Sequence, residues 1–513
     1  MKYLSSLIIS VLLFLPAISH ANIALLKQGV RYYQQGNFAN AAVTFHKLTN
    51  MNVSEDLKVQ SNYYLGLSLY NLKLYQAASY PIIRVISSNS KKFKQKSLEK
   101  LIAISNRLGD QHMLDYIMSK MQISELEKLA IDVYYYKLAQ VSFEKNMLDQ
   151  AINYLNQSIG NNPRNESSLN LLALSHLKKN NSSAAIDVYN KLLGLYATKN
   201  NNYAKKGYTY LNIARAYFQA KKYEEAAEFY RQVSKDNLAY RESLTELGWT
   251  YLHLSKLRSA LSSIHTLHTP FYENYFEPES LVLRAILLNY NCQFDDAEVS
   301  VKIFNDNYES TLDVMNDWTS QTITVADAIN EINYATENLK TEMSSGKSGI
   351  SLVRDYKGKI PFKVTRSILK DNRMKSMYDT YILVRDESKN AKKIFGSSKN
   401  ALNPFLDKIY AGRLNYFKNQ LAMKFNQVII SIEKNITYYN QQMKFVYYEI
   451  LEAKKSQLRL KIGTRDDKPS TIEIHNRNFY VKNGYRYWPF QGEFWLDEIG
   501  NYQYLGDNRC AQE

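Results

Sequence analysis

The residues that could do chemistry are concentrated near the C-terminus, in the stretch YWPFQGEFWLDEIGNYQY at 487–504. This stretch holds two of the four tryptophans of the chain and the carboxylates of Glu493, Asp497 and Glu498. Rings beside carboxylates are typical of sites that bind or cleave sugars, and a glycosidase needs two carboxyl groups about 5 or about 6.5–9.5 Å apart. In a strand at 493–498, Glu493 and Asp497 would share one face at about 13 Å, which is too far. We therefore predict that this stretch is not the active site of an enzyme. We expect its rings to form the core of a small β unit.

Other combinations of reactive side chains are weaker. His265 and His268 lie three residues apart in IHTLH, but no carboxylate or cysteine accompanies them to complete a metal site. The two cysteines, Cys292 and Cys510, lack a CxxC spacing. In an oxidising compartment they could form one disulfide, and the sequence leaves open whether they meet. We expect no metal, no cofactor and no catalytic residue.

The N-terminus has the features of a secretory signal peptide. Lys2 precedes an apolar run from Leu4 to about Ala17, and Ser19-His20-Ala21 supplies the small residues of a cleavage site. The run is too short to span a bilayer, and no later stretch reaches the ~18–20 apolar residues that a span needs. We expect residues 1–21 to be removed and the mature chain to be periplasmic, with attachment to the outer membrane as a variant. An uncleaved anchor is the alternative.

Composition favours a helical protein with acidic partners. The 513 residues include 65 Lys and Arg against 49 Asp and Glu, a formal net charge of +16 that is spread along the chain. In an exported protein this excess favours acidic proteins, anionic glycans or lipid head groups, and not nucleic acid. Only 18 Gly and 9 Pro accompany 42 Tyr, which indicates packed helices. The length predicts two or three structural units.

A repeated pattern of small and aromatic residues runs through residues 22–310. In the first copy, Gly29 is followed by Ala41 and Phe45, and the same grid recurs at intervals of 34 to 41 residues. The small position is occupied by Gly29, Gly66, Ile102 (in a degenerate copy), Ala139, Ala173, Ala214, Gly248 and Ala285. The pattern resembles the tetratricopeptide repeat, a unit of two antiparallel helices, and we count about eight units. The resemblance implies that the two helices of a unit cross closely at the small residue.

Stacked units of this family form a solenoid in which the first helix of each unit lines a concave groove. We predict that this groove presents aromatic side chains and an arginine, a composition typical of protein interfaces. The residues that we predict to bind a partner are Tyr33, Tyr63, Tyr70, Tyr136, Phe143, Tyr208, Arg215, Phe218, Trp249, His253 and Tyr290. An alternative is that downstream helices of the same chain fill the groove. The clamp that some relatives use to hold a terminal carboxylate is missing, because Leu26 and Val30 occupy its positions in the first repeat.

Beyond the repeats, residues 311–465 predict long helices and residues 466–513 predict a small aromatic-rich β cap. We expect helices at 312–342 and near 364–396. From 404 to 460, apolar residues recur in steps of 4-3-4, an 11-residue period that indicates one long, nearly straight helix with one apolar stripe. The preceding helices or a second copy of the chain must cover that stripe.

The fold class that we predict is therefore mainly α, with a solenoid, a long helical or coiled-coil segment and a small β unit. This order of parts, with LTELGWTYLHL and the closing YWPFQGEFWLDEIGNY, resembles a group of exported tetratricopeptide proteins of gliding and predatory bacteria. The resemblance implies an envelope scaffold or adaptor that binds proteins or peptides, within a motility or transport assembly. The alternative is a peptidoglycan- or glycan-binding protein that uses the C-terminal aromatic unit.

Overall fold

The protein is described from a computed structural model, which covers residues 22–121, 128–197, 202–345, 356–396, 400–463, 494–495, 498–504 and 510. These residues are mainly α-helical, as predicted, and they form two compact units. Unit 1 lies within 1–179, 324–329 and 369–426, and unit 2 within 180–323, 330–368 and 427–513. The predicted signal peptide at 1–21 is outside the described residues.

The repeat region forms a series of helices with the predicted alternation of first and second helices. The helices of unit 1 are α1 (22–34), α2 (Phe38–Thr49), α3 (Glu55–Asn71), α4 (Tyr75–Ile86), α5 (Lys94–Leu108), α6 (His112–Met118), α7 (Lys128–Glu144), α8 (Leu148–Asn161) and α9 (Glu166–Lys178). Those of unit 2 are α10 (Ser182–Ala197), α11 (Tyr203–Gln219), α12 (Tyr223–Arg231), α13 (Tyr240–His253), α14 (Leu257–His265), α15 (Pro278–Tyr290) and α16 (Phe294–Ser320).

The small residues of the pattern lie where the two helices of one repeat cross, as predicted. A Cβ placed on Gly29 would lie 2.7 Å from the ring of Phe45, and one placed on Gly66 would lie 2.6 Å from Ile82. Real Cβ atoms do not approach other atoms this closely, so any larger residue forces the helices apart. Phe45 is fully buried and also stacks on Tyr64 of the following unit, with ring centroids 5.4 Å apart. The ring of Phe45 therefore packs within its own repeat and also against the next repeat.

A left-handed residue ends every first helix of the series. It lies seven positions after the small residue in each copy, including the degenerate one, and its φ is between +54° and +75°. The eight residues are Gly36, Lys73, Gly109, Asn146, Asn180, Lys221, Ser255 and Cys292. In six of the eight copies the next N–H bonds back across the turn, as Leu74 does to Leu69 O at 2.9 Å. This is the Schellman arrangement, which satisfies carbonyls that the helix end leaves free.

We expect Gly66→Ala to lower the free energy of unfolding by about 1–3 kcal/mol, because the new methyl group overlaps Ile82. Gly160→Ala is the matched control, since Gly160 lies in α8 with no other atom within 4 Å of the added Cβ. Its expected effect is a gain of about 0.5–1 kcal/mol from helix propensity. Urea unfolding of both variants measures the difference. Equal effects at the two positions would show that the crossing is not tightly packed.

In the described residues four more helices follow the repeats, and two predicted boundaries are wrong. They are α17 (Val325–Ser345), α18 (Phe362–Lys370), α19 (Asn372–Phe395) and α20 (Leu402–Gly463). The helix predicted at 312–342 is instead the end of α16 followed by α17. Thr324 and Asp327 form a capping box there, because each backbone N–H bonds to the other side chain at 3.1–3.2 Å. Similarly, the helix predicted at 364–396 is interrupted at Asp371, whose carboxylate accepts the N–H of Met374 at 2.8 Å and starts α19.

The long helix agrees with the prediction for 404–460, since α20 is continuous over 62 residues. Its predicted stripe is buried in both units, for example at Phe425 in unit 1 and at Ile450 in unit 2, both 0% exposed. In unit 1, α20 packs on α19, as Tyr410 donates to Glu387 at 2.8 Å. In unit 2, Lys454 pairs with Glu298 of α16 at 2.9 Å. Helices of the same chain therefore cover the stripe.

Glu387 connects α19 to the repeats of unit 1. It is 7% exposed, and its carboxylate accepts the backbone N–H of Ala77 at 3.2 Å as well as the hydroxyl of Tyr410. Ala77 lies in the first turn of α4, whose own N-cap residue, Leu74, offers no side-chain acceptor. Glu387 thus replaces the missing cap of a helix 310 residues away in sequence. Burial outweighs these hydrogen bonds and raises the pKa of Glu387 to about 7.

This raised pKa predicts a pH-dependent stability. The folded state binds the proton of Glu387 more tightly than the unfolded chain does. Protonation therefore stabilises the fold, and this stabilisation is fully present below about pH 4.5 and is lost as the pH rises to about 7. We expect the wild type to lose up to ~3 kcal/mol relative to Glu387→Gln over that window, at about 1.4 kcal/mol per pKa unit. Denaturant unfolding at pH 4.5, 6 and 7.5 measures the difference. Parallel pH profiles of the two proteins would contradict this explanation.

The C-terminal part differs from the prediction. The described residues of 466–513, which are 494–495, 498–504 and 510, contain no strand, and the other residues of the predicted β unit lie outside the described residues. A turn lies at 498–501, with Gly500 at φ +83°. This segment packs on the last repeats of unit 2, where the backbone N–H of Gly500 donates to Thr266 at 3.1 Å. Two of its backbone N–H groups, those of Gly500 and Tyr504, are thus satisfied by side chains of the repeats.

The disulfide that the sequence left open is formed. Cys292 and Cys510 are bonded, with their Cα atoms 5.2 Å apart, and they join positions 218 residues apart in sequence. Beside them, Tyr504 N donates to Ser262 at 2.8 Å and the ring of Tyr502 packs on His265 at 5.0 Å. The C-terminal residues are therefore fastened to unit 2 by a covalent bond as well as by packing.

Candidate functional site

The first helices of unit 1 carry a half-exposed band of rings. Tyr63 stacks on Phe93 with centroids 4.3 Å apart, and Tyr33 meets Tyr64 edge-on at 5.6 Å. Tyr70 has the ammonium group of Lys100 above its ring at 4.1 Å. Each predicted ring thus has one side held by the next helix, while part of its surface remains open to solvent. Such preorganised aromatic surface costs little entropy when a partner binds.

A polar cavity of about 590 Å³ opens beside Tyr136 in unit 1. It is lined by first helices, namely α5, α7 and the start of α9, so it lies on the predicted binding side of the solenoid. Its polar lining residues include Tyr136, Gln140, Asn162, Asn165 and Ser167. Gln140 donates to the hydroxyl of Tyr136 at 3.2 Å, and burial raises the pKa of that hydroxyl.

A buried network fixes one wall of this cavity. Asp132 is 3% exposed, and one of its carboxylate oxygens accepts Asn162 at 2.8 Å and Asn165 at 3.2 Å. Asn165 also caps α9 by accepting the N–H of Ser168 at 3.1 Å. The other carboxylate oxygen of Asp132 is buried and receives no hydrogen bond from the described protein atoms. Sequence reasoning missed this cavity. The available signal for the cavity was the spacing of Asn162 and Asn165 before α9. The same residues are also common as ordinary helix N-caps, so the spacing alone does not indicate a cavity.

In unit 2, Arg215 is held by acidic residues of α13. Its guanidinium donates to Glu246 at 3.0 Å and to Glu242 at 3.0 Å, and Tyr230 donates to Glu246 at 2.9 Å. These partners raise the pKa of Arg215 despite its burial. The predicted partner-binding arginine therefore links α11 to α13, with its charge already balanced inside the unit.

Phe218 and His253 are the pair of predicted residues that the structure brings into direct ring contact, at 5.3 Å. His253 also stacks flat on Tyr223, with centroids 4.6 Å apart. Tyr208 is half-buried, and Tyr290 is 56% exposed at the end of α15. In unit 1, Phe143 lies under the ammonium group of Lys178 at 4.9 Å. The predicted residues thus form separate local clusters on successive helices.

The predicted alternative, in which the chain's own helices fill the groove, applies at Trp249. The indole N–H of Trp249 donates to Glu279 at 2.9 Å, and Tyr439 of α20 donates to the same carboxylate at 2.9 Å. Burial raises the pKa of Tyr439, and the nearby carboxylate of Glu279 raises it further. Within unit 2, α20 therefore occupies this part of the first-helix side.

The two histidines weighed as a metal pair are engaged separately. His268 lines a second cavity, of about 390 Å³ in unit 2, and its Nε2 lies 3.0 Å from the hydroxyl of Ser280. Burial lowers the pKa of His268 to about 3, so the ring is neutral. His265 packs instead on Tyr502. In the described part of the chain, His, Cys, Asp and Glu side chains do not gather in groups of three or more that could hold a metal ion.

Comparison with known families agrees with this architecture. Two tetratricopeptide repeat models match the chain, over residues 136–200 and 207–235. The chain thus contains tetratricopeptide repeats over these residues, as the spacing of small and aromatic residues predicted. A search of curated proteins found no match.

Solved structures with similar helices include MamA, PilF of Pseudomonas aeruginosa and the apo form of RapI. The identity is 16%, 16% and 10%, with TM-scores of 0.30, 0.23 and 0.33. The matches cover 35%, 48% and 81% of this chain and 92%, 90% and 99% of the other chains. Likeness at these scores carries no argument about function.

Tetratricopeptide repeats are protein-interaction scaffolds, and the class implies protein partners for this chain. Within the ranges that the structure describes, none of the helices has the length and apolar character needed to cross a bilayer. The resemblance to proteins of gliding and predatory bacteria stays a prediction, because the matches concern the repeats alone.

Proposed function

We propose that the protein is an exported cell-envelope adaptor that docks a protein segment on the first-helix side of unit 1, within an envelope motility or transport assembly. The observation that carries the proposal is the cavity beside Tyr136, which the first helices of successive repeats line. Unit 1 is favoured over unit 2 because Arg215 and Trp249 already have partners within their own unit.

The lining of the cavity suits an extended peptide. Gln140 and Asn162 each use one amide N–H in the contacts described above, so their second N–H and their carbonyl oxygen can bond a peptide backbone. The ring of Tyr136 supplies a flat, amphipathic surface of the kind enriched at interface hot spots. Because Asp132 and the cap of α9 hold the asparagines in place, little side-chain entropy is lost on binding.

Site-specific photocrosslinking in cells tests this docking site. A benzophenone amino acid at position 136 should form adducts with a defined protein partner, and those adducts should weaken when Gln140 is replaced by Ala. The control is position 116, since Tyr116 is 47% exposed but lies on α6, a second helix. The same adducts from both positions, or none from 136, would contradict the proposed site.

Export is supported by two features, the signal-like N-terminus and the disulfide between Cys292 and Cys510. Structural disulfides persist in oxidising compartments and are rare in the cytosol. The glycan-binding alternative depends on the C-terminal aromatic stretch. Trp495 is 58% exposed there, whereas Trp488 lies outside the described residues.

Thiol labelling tests the compartment. In acid-quenched cells that express the full chain, a PEG-maleimide should label neither cysteine until a reductant is added, and both afterwards. A variant that lacks residues 2–21 should stay in the cytosol and be labelled twice without reductant. Free thiols in the full-length chain would argue against export.

A further inference from the structure

The second half of α20 is apolar on two opposite faces. One face carries the buried stripe, including Ile436, Met443 and Ile450. On the other face, Tyr438, Phe445 and Tyr448 are 54%, 68% and 65% exposed. Three large rings exposed on the outer side of one helix are unusual for a surface that meets only water. The sequence pattern predicted the first face but not the second.

The exposed face has its own period. Positions 434, 438, 441, 445, 448 and 452 follow steps of 4-3-4-3-4, which is the seven-residue spacing of a coiled coil. Lys434, Gln441 and Glu452 complete the set, and all six side chains are exposed. We name this set the outer seam. The buried stripe continues with an 11-residue period, so the two faces have different packing geometries.

The outer seam is complementary to itself when two copies run antiparallel. With position 443 at the twofold axis, Tyr438 lies opposite Tyr448 of the other copy, and Gln441 lies opposite Phe445. In the same register Lys434 lies opposite Glu452, so both ends of the seam pair opposite charges. A parallel arrangement would place each residue opposite itself, with Lys434 facing a lysine and Glu452 facing a glutamate.

We propose that the protein forms an antiparallel dimer through the outer seam, with a second copy of this chain as the partner. Six rings at about 150–250 Å² each, with about 60% of that area still exposed, can bury roughly 550–950 Å² of aromatic surface, which is at the small end of interface sizes. The dimer is therefore reversible and concentration-dependent. Glu452 already contacts Lys455 of its own helix at 3.6 Å, an exposed pair that is easily exchanged.

Charge reversal provides the decisive test. In sedimentation equilibrium of the full mature chain, Lys434→Glu or Glu452→Lys alone should weaken dimerisation about tenfold, because each change places like charges together twice per dimer. The double variant, Lys434→Glu with Glu452→Lys, should recover most of the affinity. Lys302→Glu, at an exposed lysine of α16, is the control for net charge. A double variant no better than the single ones, or a wild-type chain that stays monomeric at several hundred micromolar, would overturn the proposal.

Ring removal and distance measurements complete the test. Tyr438→Gln with Phe445→Gln should abolish dimerisation without loss of helical circular dichroism, whereas Tyr203→Gln, at a ring 51% exposed on α11, should not. Because the two native cysteines are bonded to each other, a spin label can be placed on Asn435→Cys alone, at an exposed position beside the seam. In the antiparallel register position 435 lies opposite position 451, so the two labels lie about 24 Å apart along the axis, at 1.5 Å per residue. A separation of about 10 Å would indicate a parallel pair and refute this register.

Discussion

The constraint on which the repeats depend is the close approach of two helices at one small residue per unit. At Gly29 and Gly66 the opposing side chains, Phe45 and Ile82, occupy the space that a Cβ would need. Phe45 also stacks on Tyr64 of the next repeat. The same side chain therefore sets the crossing of the two helices in its own repeat and the position of the repeat that follows. Within unit 1, and separately within unit 2, first helices consequently repeat in a similar orientation, and side chains just beyond the small residue face the same side. The predicted binding residues lie on that side for this reason.

Much of this could be derived from sequence, because the crossing and the long helix are governed by local periodicity. The small position of every copy, even the degenerate one at Ile102, is followed seven residues later by the same left-handed turn. The continuous helix of 62 residues and most of its buried stripe also followed from spacing. Periodicity could not reveal features that depend on partners far apart in sequence. The cap that Glu387 provides for α4 and the network around Asp132 are of this kind.

Two errors have instructive physical causes. The boundary between α16 and α17 was missed because apolar periodicity continues through it, whereas the capping box of Thr324 and Asp327 was the signal that decides. The C-terminal aromatic stretch was read as a sheet core because it is rich in rings. In the described residues, the rings of Phe494 and Tyr502 pack instead on His265 of the last repeats.

The left-handed turn also bears on how the chain tolerates change in length. The distance from the small residue to the turn is the same in all copies, whereas the spacing between copies varies from 34 to 41 residues. Length variation therefore falls outside the first helix and its turn, and the longest interval, from Ala173 to Ala214, contains the connection between α10 and α11. Each first helix and its turn thus form a block of constant length, and the connections between blocks absorb the variation. Insertions are expected to be tolerated in those connections, because they leave the helix crossing and the turn unchanged.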